Sequence, residues 1–429
     1  MRYLVLFLFF IFQLNLFPQA FEYKNPIVTI SISAVGDLMC HAEQFDDAEL
    51  GNGKFDFDPS FQHIKKYLIN SDFTVGNLET VTAGKYRGFS TYPLFNTPSE
   101  YITALKNSGF NLLFTANNHA MDQGKTGVLR TITQLNKNNI NYTGTFKSKS
   151  DRDSIRIFNI KGIKIAFLAY AYGINGNSIP KNGTYLVNII SSSLIKNDIK
   201  KARKNGAEIV LVYFHFGDEY SSRPTYFQKE IVKKTINEGA DIIIGSHPHV
   251  VQPIQYFKTK NAKLDTGIIA YSLGNFFTGQ RHRFTRTGII FNIKLSKNFG
   301  NDSIYISNVS FAPTFVLKHN VDNIEDLKKG LLGRSFGKKE FLILSSEEAI
   351  NSPYSFLTKN DLFEIRQSIS DSKRILTRYT SKIELYDYRK DILQQLKELA
   401  YPISLERPKI FWEISHEKAC IYSLVYFSK

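Results

Sequence analysis

Two imidazoles stand one residue apart in the stretch Asp241 to Gln252, which reads D-I-I-I-G-S-H-P-H-V-V-Q. His247 and His249 flank Pro248, whose ring stiffens the backbone between them. Neutral imidazole is the commonest side-chain metal ligand, so a rigid His-x-His pair is a candidate half of a metal site. Taken alone, the pair fits equally well a surface loop that holds two histidines. The three Ile before it, bounded by Ala240 and Gly245, read as a strand buried on both faces and ending at Gly245. Both imidazoles then sit past a strand's carboxyl end, where open α/β sheets bind ligands.

The same arrangement recurs along the chain. Ile27 to Val35 alternates apolar and polar residues and runs into Gly36-Asp37-Leu38-Met39-Cys40-His41. Asp72 to Leu78 reads as a short strand ending in Asn77-Leu78-Glu79; Glu79 also suits the first turn of a helix. Phe110 to Ala116 is followed by Asn117-Asn118-His119-Ala120-Met121-Asp122. Glu208 to Phe214 leads into His215-Phe216-Gly217-Asp218-Glu219-Tyr220, and Gly267 to Leu273 into Gly274-Asn275-Phe276. Of nine His, five (His41, His119, His215, His247 and His249) fall past apolar strands, as do Asp37, Glu79 and Asn118. Carboxylate, amide and imidazole donors in one cleft suit one or two divalent ions such as Mn, Fe or Zn. A pair of ions about 3.5–4 Å apart would activate water and clamp a reacting oxygen. His119, with Asp122 three residues on, suits a general acid beside the ligand Asn118.

The positioning elements are strands alternating with helices. Helical spacing or boundary signals cover Phe61 to Ile69, Glu100 to Ser108 with Ser99 as cap, Val128 to Asn136, Ser191 to Asn205 and Tyr226 to Asn237. Hairpins are expected at Ile155–Ile160/Ile163–Tyr170 and at Thr287–Leu295/Ser303–Phe311. Thr80 to Asn96 reads as a long loop, a natural substrate lid. Beyond Lys318, charged helical segments at Asn360–Ser370 and Arg389–Ala400 read as an accessory helical extension, residues 318–429.

With 429 residues, 43% hydrophobic and 22% charged, the chain is globular with a substantial core. Two Cys are too few for a disulfide scaffold. Arg2 followed by the apolar run Tyr3 to Phe17 reads as an export signal or N-terminal anchor over residues 1–20. It places the protein in the periplasm, at the cell surface or on the inner membrane. The net charge of +15 admits a polyanionic partner or compositional bias; the basic residues are scattered rather than striped, which favours the second. No nucleic-acid motif is present.

Six motifs in fixed order carry a resemblance. Gly36-Asp37-Leu38-Met39, Gly76-Asn77-Leu78-Glu79, Ala116-Asn117-Asn118-His119-Ala120-Met121-Asp122-Gln123-Gly124, His215 to Tyr220, Gly245 to Gln252 and Ser272 to Phe276 strongly resemble the CapA/PgsA family of bacterial capsule (poly-γ-glutamate) synthesis proteins. The resemblance covers roughly Ile27 to Phe277. It implies a four-layer α-β-β-α sandwich like that of calcineurin-like metallophosphoesterases, over residues 27–317. By that likeness Asp37 and His249 would hold a first metal, and Asn118, His215 and His247 a second. Glu79 would bridge them in place of the usual aspartate, and His119 would be the acid, oriented by Asp122. His41, Asn77 and Glu219 are further metal or substrate groups. The phosphoesterases place a His two residues after the first Asp; here that position is Met39, and the nearest His is His41. The implied activity is a metal-dependent hydrolase or transferase acting on a phosphoester or γ-glutamyl amide. The implied partners are an anionic envelope polymer and membrane capsule-synthesis proteins. The alternative is a non-catalytic polymer-handling or export subunit.

Overall fold

The computed structural model describes residues 26–320, 339–388, 390 and 393. The expected export segment and most of Arg389–Ala400 lie outside the described residues. The chain divides into two compact units, Met1–Tyr386 and Asp387–Lys429.

Among the described residues, seventeen strands run in chain order through the first unit. They are β1 (Ile27–Leu38), β2 (Glu49–Gly51), β3 (Lys54–Phe55), β4 (Phe73–Leu78), β5 (Leu112–Phe114), β6 (Asn141–Thr143), β7 (Arg156–Ile160), β8 (Ile163–Ala171) and β9 (Ile209–His215), then β10 (Ile242–Ser246), β11 (Val251–Lys258), β12 (Thr266–Leu273), β13 (Asn275–Phe277), β14 (Thr287–Asn298), β15 (Ser303–Asn320), β16 (Lys339–Ser345) and β17 (Glu384–Leu385). Most form two sheets. The first has the order β16-β15-β14-β1-β4-β5-β6, with β13 on β1 and β17 on β15. The second has the order β11-β12-β10-β9-β8-β7.

The core of each sheet is parallel. β1, β4, β5 and β6 run together in the first, and β8, β9, β10 and β12 in the second. The expected hairpins appear as β7–β8 and β14–β15. Alternation along β9 decides what each face does. Val210, Val212 and Phe214 pack with Ile195, Ile199, Ile231 and Val232 from the helices Ser192–Lys204 and Tyr226–Glu238. Tyr213 turns the other way and stacks on Phe114 of the first sheet at 4.4 Å between ring centroids. Phe73 stacks similarly on Phe167 at 5.1 Å. The sheets therefore meet face to face, with helices outside, in an α/β sandwich. His215, two residues beyond Tyr213, inherits its inward direction.

Three expectations change. The helical pattern at Phe61–Ile69 breaks into Asp58–Phe61 and Lys65–Ile69. Ser99 caps its helix in position only, with no side-chain hydrogen bond. The stretch after Lys318 is not purely helical: β16 pairs with β15, and β17 lies beside β15 in the first sheet. Helices Ser346–Asn351 and Lys359–Leu376 cover this edge, burying Phe315, Leu317, Leu342, Leu344 and Ile365.

One crossing positions the site. The chain leaves the second sheet at Leu273 and enters the first at Asn275, turning at Gly274, where φ is +70°. Asp37 donates its N–H to the Gly274 carbonyl at 2.9 Å. A Cβ on Gly36 would lie 1.8 Å from that carbonyl oxygen, so only glycine permits this approach. The β1–β4 register shifts between Val35 and Asp37, a bulge of the kind that re-aims side chains beside active sites.

Candidate metal centre

Asp37, Asn77, Glu79, Asn118, His215, His247 and His249 meet at the carboxyl ends of the parallel strands, and all are buried. Register explains the meeting. Asp37 lies opposite Asn77 and Asn275 in the first sheet, and His215 lies opposite Ser246 in the second. The strand before the two histidines extends one residue past Gly245, so Ser246 points its hydroxyl at Asp37 Oδ1 from 2.5 Å.

Around Asp37 the hydrogen bonds are complete. Oδ1 accepts from Asn77 Nδ2 at 2.8 Å as well as from Ser246, and Oδ2 accepts from the His247 N–H at 3.4 Å. His249 Nδ1 lies 3.1 Å from Asp37 Oδ2 and 3.1 Å from Asn275 Oδ1. Burial opposes charge on Asp37, but the hydrogen bond and charge of His249, with His215 and Ser246 behind, hold its carboxyl below the usual range.

Glu79 is different. Burial and the neighbouring Asp37 charge push its carboxyl well above the usual range. Asn77 Nδ2 reaches Oε2 at 3.4 Å, while Oε1 is buried with no hydrogen-bond partner, 3.4 Å from His215 Nε2. His215 Nε2 also lies 2.8 Å from Asn118 Oδ1, and its Nδ1 is 3.1 Å from the Tyr213 hydroxyl. His247 Nδ1 is likewise buried without a partner. Burial lowers both imidazoles, His247 to about 3 and His215 in the same direction. His247 and His249 hold left-handed backbone, at φ +101° and +58°. Such strain in non-glycine residues clusters at functional sites.

Three sets of side chains bring a donor atom each to within 4.8 Å of one another: Glu79, His215 and His247; Asp37, Glu79 and His249; and Glu219, His247 and His249. Glu79 is common to the first two. A divalent cation fits this donor set, because it would partner Glu79 Oε1 and His247 Nδ1 and reverse the penalty on Glu79's charge. Glu219 is exposed and belongs only to the third set.

His119 and Asp122 stand beside these sets. Asp122 Oδ2 takes His119 Nδ1 at 2.7 Å and the Phe95 N–H at 2.8 Å. The Phe95 ring meets His119 edge-on at 4.7 Å. Phe95 belongs to the expected lid, whose feet are buried and whose residues 85–88 and 92–94 are exposed. His41 sits apart from all three donor sets. Burial lowers it to about 4, and its Nδ1 accepts the Gly279 N–H at 3.0 Å. Sequence reasoning gave no role to Asn117, Ser246 or Asn275. All three lie in the motif stretches, and they orient the groups above; Asn117 Nδ2 reaches Asn77 Oδ1 at 3.2 Å.

A chain from Bacillus subtilis, "PGA biosynthesis protein CapA", is 31% identical over 286 residues, 66% of this chain and 71% of that one. "Capsule biosynthesis protein CapA" of Bacillus anthracis is 29% identical over 278 residues, 63% of this chain. This chain spans 64% of the Bacillus anthracis protein's length. Among solved structures, Haemophilus influenzae NAD nucleotidase aligns with 87% of this chain and 67% of its own at 13% identity, with a TM-score of 0.43. The Thermus thermophilus 5'-nucleotidase precursor aligns with 80% of this chain and 59% of its own at 10% identity, with a TM-score of 0.41. Residues 31–280, which contain every group described above, match the family described as "Bacterial capsule synthesis protein PGA_cap", and the chain belongs to it.

Proposed function

We propose that this protein is exported to the cell envelope. There it acts as a dinuclear-metal hydrolase or transferase on a phosphoester or γ-glutamyl amide of an anionic polymer, beside membrane capsule-synthesis proteins. The observation that carries this reading is the sharing of Glu79 by two donor sets, one completed by Asp37 and His249, the other by His215 and His247. Asn118 joins the second set through His215. When bound, two Mn, Fe or Zn ions would supply an activated water and neutralise charge on the reacting oxygen. Asp37 and Glu79 bring the negative charge that such ions need.

His119 acts on the leaving group. Asp122 holds Nδ1, which leaves Nε2 to deliver a proton to a departing oxygen or nitrogen, a contribution of typically about 10²–10⁴-fold. The test is His119→Ala with metal content and turnover measured together on phosphoester and γ-glutamyl amide substrates. Metal content should hold while turnover falls by that factor. A wild-type protein that binds no metal and cleaves neither substrate class overturns the reading in favour of a polymer-handling subunit.

A further inference from the structure

We infer that the helix Lys359–Leu376 is a brace for the metal centre: it holds the loop 278–286, and that loop fixes the Asn275 amide that orients His249. The inference rests on the metal-dependent reading above. It gives a role to residues beyond 280, where the family match ends.

The loop joins β13 to β14. Near its start, the Gly279 N–H donates to His41 Nδ1 at 3.0 Å. Toward its end, two arginines reach the helix. Arg283 donates from Nε and Nη2 to the two carboxylate oxygens of Asp371, at 2.9 and 3.1 Å. Such two-pronged pairs fix geometry as well as adding energy. Arg286 Nη1 donates to Glu364 Oε2 at 2.6 Å, with its guanidinium 4.4 Å from the centre of the Phe315 ring. Glu364 and Asp371 stand two helical turns apart on one face, so the helix grips the loop at two points.

The inner side of the loop meets Asn275. Its Nδ2 donates to the Thr285 carbonyl at 2.7 Å and to Gln280 Oε1 at 3.2 Å. A backbone carbonyl only accepts, so the NH2 end of the amide must face the loop. Oδ1 is thereby turned to His249 Nδ1, 3.1 Å away, and the same Nδ1 lies 3.1 Å from Asp37 Oδ2. Facing two accepting oxygens, Nδ1 carries the proton, and Nε2 keeps the lone pair that a cation needs. Asn275 and His249 are both buried, so the loop rather than solvent sets this arrangement.

Arg283→Ala combined with Glu364→Gln frees the loop from the helix and leaves every group of the centre in place. The two side chains are 55% and 35% exposed, so the fold should tolerate the changes. The full chain, stripped of metal, is titrated with Mn²⁺ in a calorimeter, with thermal unfolding of the stripped proteins as the folding control. The double variant should bind about 10-fold more weakly, the lower end of what groups orienting metal ligands contribute. In an Asn275→Ala background, already weakened, the same two changes should add little further loss. Unchanged affinity in the double variant, or an equal further loss in the Asn275→Ala background, overturns the inference while leaving the metal reading intact. A wild-type chain that takes up no Mn²⁺ overturns the metal reading, and the brace with it.

Discussion

Around Asp37, both carboxylate oxygens and His249 Nδ1 have partners within the protein; around Glu79, Oε1 and His247 Nδ1 are buried without one. An unsatisfied buried polar atom costs about 1–3 kcal/mol. The Asp37 side is thus self-sufficient as a hydrogen-bonded cluster, whereas the Glu79 side carries a standing cost that a ligand would relieve. The same strand-end architecture produces both, and the difference lies in how many neighbouring donors reach each carboxylate. A cation should gain more on the Glu79 side, where Oε1 and His247 Nδ1 have no hydrogen bond to lose.

The largest expected effect comes from Glu79→Ala, which removes the carboxylate shared by the two donor sets. Elemental analysis of the purified variant should show metal at background. Full wild-type content would erase the distinction between the two sides.

Next is the pH dependence of the metal-free chain. Unfolded histidine takes up a proton near pH 6.5, whereas folded His247 does so only near 3, because burial opposes its charge. Between those values the unfolded state binds more protons, so stability rises with pH, by up to about 1.4 kcal/mol per unit for each such histidine. Asp37, with its lowered carboxyl, acts in the same direction at lower pH: its contribution is present above the ordinary value of about 3.9 and fades as pH falls. Glu79 has the opposite sign, since its raised carboxyl keeps a proton that the unfolded chain loses above about pH 4.3. Denaturant titrations should show His247→Ala flattening the acid limb and Glu79→Gln removing a loss of stability toward neutral pH. A wild-type profile flat from pH 4 to 6.5, with His247→Ala unchanged from it, would contradict these assignments.

A smaller effect separates the two histidines. His249→Ala deprives buried Asp37 of a donor and should cost the metal-free chain about 1–3 kcal/mol. His247→Ala removes a nitrogen that has no partner, and should cost less. Equal costs by chemical denaturation would mean that the two sides are built alike.

The smallest is His41→Ala. It removes the acceptor of the Gly279 N–H and should cost about 1 kcal/mol while leaving metal content unchanged. Loss of metal would make His41 a ligand after all.

The strand ends were legible in the sequence because each apolar run stops at a glycine or polar residue, and side chains past a parallel strand's end share one crevice. Several strands were not. β11 contains Pro253, which argues against a central strand; it is tolerated because β11 lies at the sheet edge. β6 is three residues long, and β16 hides its run Phe341-Leu342-Ile343-Leu344 in a charged region. The completed hydrogen bonds of Asp37 were also out of reach. Ser246 and Asn275 come from other strands, and only the Gly274 crossing and the bulge at Gly36 bring them to it.

β1, which carries Asp37, lies between β4 and β14, and Ile27 pairs with Asn298. The first strand among the described residues therefore cannot complete its pairing until one of the later strands exists. Long-range pairing of this kind slows folding. A nascent chain must emerge past Asn298 before β1 can pair with β14 along its whole length, and by then every strand of the second sheet has been synthesised. A chain that ends before β14 would leave the strand that carries Asp37 without its antiparallel neighbour.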